Sequence, residues 1–324
     1  MNKTNLEITV LREYTHGIPT QTYYEELCDR LPHHTVRVAR TPREERELAA
    51  TADIITGRGI DRDVIERGIH IGLFAGISAG HDHLPLDSLK QHDIAATTAS
   101  GIHAPNIAEQ VLGYILVFTR NLHEGWRRQQ RREWRHFQSH ELKGSTVTIV
   151  GLGMIGQAIV QRLSGFSVET IGVRYTPSKG GQTDEIVGFE KKAIHEALAR
   201  TEYLVLACPL TETTNGLIGE EEFTTLPSNA VTVNVGRGGV MDTSALISAL
   251  RSNSIRGAAL DVSDPEPLPE NHPLWALQNV LITPHNAGHS PMHCSRLANL
   301  VSENVHQIAE TGRYNDLRNQ ILYP

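Results

Sequence analysis

Along the first third of the chain, short apolar runs alternate with longer polar stretches. Leu6–Val10, Thr35–Val38, Asp53–Thr56 and Ile71–Phe74 have the length and β-branched content of buried strands. Segments between them, such as Arg43–Ala50 and Arg62–Arg67, read as helices. Strands alternating with helices predict parallel β–α units. From Asn106 to about Arg120 the apolar residues Ala108, Val111, Leu112, Ile115 and Leu116 fall at helical spacing. Asn121–His140 carries little apolar content and reads as a boundary or an exposed arm.

A second alternating series starts at Lys143. Its predicted strands are Val147–Val150, Thr170–Val173, Tyr203–Cys208, Val231–Val235, Ala258–Val262 and Val280–Thr283. Gln157–Leu163 and Thr243–Arg251 are helices between them, the latter started by Asp242 as N-cap. No internal repeat or low-complexity tract interrupts the pattern. From Pro291 onward, Leu297, Leu300, Val301, Val305 and Ile308 line one helical face that needs a partner. Packed on the first domain, that face makes the domain discontinuous: 1–117 with 293–324, and 118–292 as an insertion. The expected fold is α/β, with two Rossmann-like doubly wound parallel-sheet domains and an active-site cleft between them. The first domain is expected to be flavodoxin-like and to hold substrate, the second to hold a dinucleotide.

Composition narrows the function classes. A length of 324 residues suits two domains, and 39% hydrophobic with 21% charged residues is ordinary for a globular protein. The net charge of -7 excludes a whole-protein basic field for nucleic acid. The longest apolar stretch, Val111–Phe118, falls far short of the ~20 residues of a spanning helix. The start MNKTNLEITV has no apolar leader core, and Cys28, Cys208 and Cys294 are odd in number and far apart. Both features point to a cytoplasmic protein with reduced thiols and no membrane partner.

The candidate chemistry begins at Val150. The strand there runs into Gly151-Leu-Gly153-Met-Ile-Gly156 and then a helix. This is G-x-G-x-x-G in the strand–helix context that gives it meaning. Gly151 permits the tight turn, Gly153 lets backbone approach a pyrophosphate, and Gly156 lets the helix pack closely on the sheet. In NAD sites a carboxylate ~20 residues on binds the ribose 2′-hydroxyl. Here the next strand ends in Arg174, followed by Tyr175-Thr176-Pro177-Ser178-Lys179, and no carboxylate occurs before Asp184. A guanidinium pairs with a 2′-phosphate that a carboxylate would repel, and Thr176, Ser178 and Lys179 add donors. The expected cofactor is NADP(H), with NAD(H) as the alternative.

Three further strand ends converge. Asn234-Val-Gly-Arg237-Gly-Gly, Leu260-Asp261-Val-Ser-Asp-Pro-Glu266-Pro267 and Ile282-Thr-Pro284-His285-Asn-Ala-Gly288 each follow a strand, where open α/β sheets bind ligands. With the glycine loop, Cys208-Pro-Leu-Thr211 and Leu217-Ile218, these segments resemble the D-2-hydroxyacid dehydrogenase family over nearly the whole chain. The resemblance implies that Arg237 binds the substrate carboxylate, that His285 is the general acid/base and that Glu266 is its partner. The chemistry agrees. Reducing a 2-oxo acid to a D-2-hydroxy acid takes a hydride on carbon and a proton on oxygen, and a carboxylate beside histidine orients it for the second task.

By the same resemblance the loop Ile77-Ser78-Ala79-Gly80 holds the carboxylate through backbone N–H groups, as a nest does. Asn106 lies near the nicotinamide, although the family usually has a small hydroxyl residue there. Asp261 accepts from the nicotinamide carboxamide. Met154, Ile155, Tyr175, Cys208, Pro209, Thr214, Val235, Gly236 and Gly288 join the cofactor set, as do Arg237 and His285. Thr56–Arg58 lines the substrate pocket or forms a surface turn. Family dimers imply a homodimer paired through the region of Arg127, Arg128, Arg131, Arg132 and Arg135, where Trp126 and Trp134 are interleaved.

Other signals carry less. His285, His289 and His293 are spaced by four, but Pro284, Gly288 and Pro291 break any shared helix, so no metal is expected. Cys208 and Cys294 read as packing residues. The rival to an enzyme is a dinucleotide-sensing regulator or corepressor on the same fold, which has little need of Arg237, Glu266 and His285 together. A formate dehydrogenase is disfavoured because it pairs its histidine with Gln rather than Glu266.

Overall fold

The computed structural model describes residues 5–13, 19–81 and 83–324; Met1–Thr4, part of the start read above for a leader, lie outside them. The chain divides into two compact units, Met1–His103 with His289–Pro324, and Ala104–Gly288.

In the first unit, strands β1 (Glu7–Val10), β2 (Thr35–Val38), β3 (Ile54–Gly57), β4 (Leu73–Gly76) and β5 (Ala95–Thr97) form a parallel sheet. Their spatial order is β5-β4-β3-β1-β2, and Gln320–Leu322 adds an antiparallel edge on β5. This is the 2-1-3-4-5 doubly wound order, whose strand order reverses between β1 and β3. β3, β4 and β5 are buried throughout. The closing helix His293–Thr311 presents Leu297, Leu300, Val301, Val305 and Ile308 to a core that includes Ile8, Tyr23, Leu27 and Leu73.

In the second unit, β6 (Thr146–Val150), β7 (Glu169–Val173), β8 (Glu185–Val187), β9 (Tyr203–Leu206), β10 (Val231–Asn234), β11 (Gly257–Leu260) and β12 (Val280–Ile282) are all parallel. The order β12-β11-β10-β9-β6-β7-β8 reverses between β6 and β9. The unit boundary falls at His103/Ala104 rather than after residue 117. The helix Ala104–Thr119 buries Ala108, Val111, Ile115 and Phe118 in one core with Val147, Ile149, Ile159 and Leu163. Its apolar face therefore belongs to the second sheet.

The polar stretch after this helix is not wholly an arm. Leu122–Gln130 is helical with no buried residue, and Arg128 pairs with Glu124 at 2.6 Å one turn away. The cap expected at Asp242 is present, its carboxylate accepting from the Ala245 N–H at 2.8 Å. No helix among the described residues is long and apolar enough to cross a membrane.

Leu297 is fully buried, whereas Leu122 is 53% exposed. Leu297→Ala is expected to cost about 2–5 kcal/mol in denaturant titration. Leu122→Ala should stay within about 0.5 kcal/mol of the parent.

Candidate active site

The glycine loop leaves β6 at the switch point of the second sheet. Gly151 has φ +99°, and a Cβ there would lie 2.8 Å from the Ala207 carbonyl and the Cys208 backbone. Only glycine turns the chain that tightly. A Cβ on Gly156 would stand 2.0 Å from the Gly151 carbonyl oxygen, so the helix Met154–Leu163 packs directly on the turn. A Cβ on Gly153 would meet nothing within 4 Å, which leaves its backbone open to an approaching group. These three surroundings match the three tasks a pyrophosphate cradle requires.

Beside the loop lies a cavity of about 490 Å3, lined among others by Gly151, Gly153, Arg174, Tyr175, Thr176 and Lys179. Its lining holds two cationic side chains and no carboxylate. Arg174 leaves the end of β7, and its guanidinium donates to the Gly180 carbonyl. Asp184 is committed elsewhere: it accepts from the Thr170 N–H at 2.8 Å and hydroxyl at 2.7 Å, near the amino end of β7. The Thr170 hydroxyl bond, then the amide bond, hold the Asp184 carboxyl below the usual range. Lys179, Phe189, Thr211 and Thr213 also reach the cavity.

Across the switch point, Cys208 and Pro209 follow β9 and line the same cavity. Burial pushes the Cys208 thiol up to about 11. The Thr214 hydroxyl accepts from the Thr211 N–H at 2.8 Å and donates to the Pro209 carbonyl at 2.6 Å, closing this turn. Val235 and Gly236 follow β10: the Val235 N–H donates to the Leu206 carbonyl at 3.1 Å, and a Cβ on Gly236 would sit 2.6 Å from the Cys208 carbonyl. At the helix start Met154 is half exposed, while Ile155 packs into the core.

The other three loops leave neighbouring strands. Asn234 pairs in register with Leu260, and Leu260 with Ile282. Arg237, Glu266 and His285 follow these residues. The buried Asn234 amide donates to the Arg237 carbonyl and accepts from the Gly236 N–H, each at 3.0 Å, and so shapes the turn carrying Arg237. A Cβ on Gly238 would lie 2.1 Å from the Ser263 backbone, so this turn sits directly on the loop carrying Glu266. Across that loop, His285 Nδ1 donates to Glu266 Oε1 at 3.0 Å. Both side chains remain open to solvent.

Asp261 has a task the sequence reading missed. It is 3% exposed, and its carboxylate accepts from the Thr283 hydroxyl, the Asn286 N–H at 2.8 Å and the Ala287 N–H at 2.9 Å. Its carbonyl accepts the His285 N–H at 2.7 Å. Tyr114 extends the network through Thr283, and Asn106 Nδ2 donates to the Ala287 carbonyl at 2.6 Å. The loop so held ends at Gly288 and places His285 at φ +51°. No motif announces this clamp, because its partners, two backbone amides and a threonine hydroxyl, lie 22 to 26 residues away.

The first unit corrects two sequence expectations. Ile77 is fully buried in the core, and its N–H donates to the Gly57 carbonyl at 3.1 Å, so it has no amide to offer a carboxylate. The N–H groups of Ser78, Ala79 and Gly80 make no bond among the described residues. Thr56 is likewise buried and bonds Tyr23 at 3.0 Å instead of lining a pocket, whereas Arg58 is exposed. Among the described residues one group has metal-like spacing, His195 with Glu221 and Glu222. There Glu221 holds Lys191 at 2.5 Å, and His195 donates to Glu222 at 3.1 Å.

Residues 112–287 match the family model for the D-isomer specific 2-hydroxyacid dehydrogenase, NAD binding domain. The chain is 32% identical to D-3-phosphoglycerate dehydrogenase of Methanocaldococcus jannaschii, with 84% of this chain covered and 53% of that protein, so it spans about half of that relative. It is 31% identical to a glyoxylate reductase of Pyrococcus furiosus, with 82% of each covered. A solved D-isomer specific 2-hydroxyacid dehydrogenase of Xanthobacter autotrophicus, in complex with NADPH and MES, superposes with a TM-score of 0.80 at 28% identity, covering 98% of both chains. The chain belongs to the D-isomer specific 2-hydroxyacid dehydrogenases, oxidoreductases acting on CH–OH groups.

Proposed function

We propose that this protein reduces a 2-oxo acid to a D-2-hydroxy acid, and runs the reverse oxidation, with NADP(H) preferred over NAD(H). The observation that carries the reading is the His285–Glu266 pair at 3.0 Å, on a loop neighbouring the Arg237 turn. When bound, the nicotinamide dinucleotide supplies or accepts the hydride. Everything else falls to the chain's own groups.

Arg237 offers a planar fork of donors that matches a carboxylate and polarises the adjacent carbonyl. Glu266 occupies Nδ1 of His285, which leaves Nε2 as the atom that gives a proton to the carbonyl oxygen or takes it back from the hydroxyl. Glu266 is thus a positioning residue and His285 the proton carrier. On the first unit, the amides of Ser78, Ala79 and Gly80 offer donors suited to an anion. Asn106 and Asp261 act through the loop they hold. The NADPH bound by the Xanthobacter relative and the two cations in the cavity support the cofactor preference. The P. furiosus relative makes glyoxylate the first substrate to test. Free thiols at Cys28, Cys208 and Cys294 suit a cytoplasmic setting.

The working form is proposed to be a homodimer. Trp126 and Trp134 are 70% and 100% exposed, and a groove of about 770 Å3 runs past Trp134 and Phe137. Apolar exposure of this size suits a protein contact. The basic cluster there is partly neutralised from within, since Arg128 pairs with Glu124 and Arg131 with Glu133.

His285→Ala and Arg237→Ala should each lower kcat/KM for the 2-oxo acid by about 10²–10⁴. Cofactor affinity, measured by fluorescence titration, should persist; unchanged turnover would overturn the roles. Arg174→Ala is expected to weaken NADPH binding about tenfold or more while leaving NADH nearly unaffected. Equal losses for both cofactors would refute the selector. Sedimentation equilibrium should return twice the chain mass, and a monomer would remove the dimer from the reading.

A further inference from the structure

The carboxyl ends of the second sheet carry the glycine loop and the Arg237, Glu266 and His285 turns. Its amino ends carry a separate polar cavity of about 190 Å3 that shares no residue with them. Lys143–Ser145 lead into β6 there, Glu202 leads into β9 at Tyr203, and Arg256 precedes β11. These strands lie together in the order β11-β10-β9-β6, all within the second unit.

Two cations, Lys143 and Arg256, and two carboxylates, Glu141 and Glu202, line this space beside His140, yet no ion pair joins any of them. Charges at the same end of the sheet do pair: Arg200 holds Glu169 at 3.4 Å and also Glu185. Glu202 Oε1 accepts from the Asn229 amide at 3.0 Å, and its second oxygen makes no bond among the described residues. Arg256 is held by a chain of fixed direction. Thr119 gives its hydroxyl proton to the Ile115 carbonyl at 2.7 Å, so Tyr203 donates to Thr119 at 2.6 Å and receives Arg256 Nη2 at 3.0 Å. That is the guanidinium's only bond among the described residues, and its buried Nε has no partner. A charged N–H taken from water without a partner is costlier than a neutral one.

We propose that this cavity binds a small zwitterion of the α-amino-acid class. Arg256 and Lys143 take its carboxylate, and Glu202 and Glu141 take its ammonium group. A lone anion would meet two carboxylates here and a lone cation two basic groups, so only a ligand with both charges satisfies the whole lining. The volume equals that of about six waters, which suits the two charged groups on a short carbon stem and excludes an aromatic side chain.

Isothermal titration calorimetry with L-alanine tests this. The controls are propionate and ethylamine, each lacking one of alanine's charged groups, and L-tryptophan for size. Alanine should give a saturable isotherm with one site per chain, and each control should bind at least about tenfold more weakly. Arg256→Gln should weaken alanine by a similar factor. Because that change also strips Tyr203 of a donor, Glu202→Gln repeats the test away from the tyrosine. It should weaken alanine, strengthen propionate and move kcat/KM for glyoxylate less than about twofold. Arg237→Ala should keep the alanine response, which separates this cavity from the role proposed for Arg237. No saturable response to alanine, a control that binds as tightly, or an unchanged alanine-to-propionate ratio in Glu202→Gln would overturn the assignment. So would an alanine response lost in Arg237→Ala but kept in Arg256→Gln.

Discussion

One buried carboxylate fixes the loop on which the proposed chemistry turns. Asp261 collects the Thr283 hydroxyl and the Asn286 and Ala287 amides, and its carbonyl takes the His285 amide. The magnitudes show why one residue suffices. A left-handed backbone at a residue with a Cβ costs roughly 1–2 kcal/mol. A hydrogen bond to a charged group returns about 1.5–3 kcal/mol, and leaving a buried carboxylate unpaired costs more. Three such bonds outweigh the strain at His285, so the imidazole is held facing Glu266. Tyr114 and Asn106 extend the grip to the helix Ala104–Thr119, whose apolar face lies in the second unit's core.

The parallel sheet converts this local order into a site. Adjacent parallel strands in register deliver their carboxyl ends at one edge, so residues far apart in sequence leave β10, β11 and β12 side by side. Gly238 against the Ser263 backbone then keys the Arg237 turn to the Glu266 loop, with no room for a side chain between them. The same geometry operates at β6 and β9, where Gly151, Cys208 and Gly236 interlock at backbone distance. The site is therefore a property of backbone packing first and of functional side chains second.

That order explains what could be read without coordinates. Buried parallel strands announce themselves as uninterrupted apolar runs, and β2 and the helix Thr243–Arg251 match their expected bounds. The glycine loop was legible because each glycine answers a separate steric demand. Short or weakly patterned elements were not: β5 and β8 have three residues each, and Thr20–Arg30 buries only Tyr23 and Leu27. Ile77 was misjudged because nothing in its neighbours reveals that β4 pairs with β3 one residue further. Asp184 stood out as the next carboxylate after β7, but its attachment to Thr170 is a fact of tertiary structure.

Cys208 gives the cavity beside the glycine loop a resistance of a different kind. Peroxides and electrophiles attack thiolates rather than thiols, and a sulfur pushed up to about 11 by burial stays almost wholly protonated in a neutral cell. The wall next to the glycine cradle is thereby shielded from the oxidation ladder that begins at sulfenic acid.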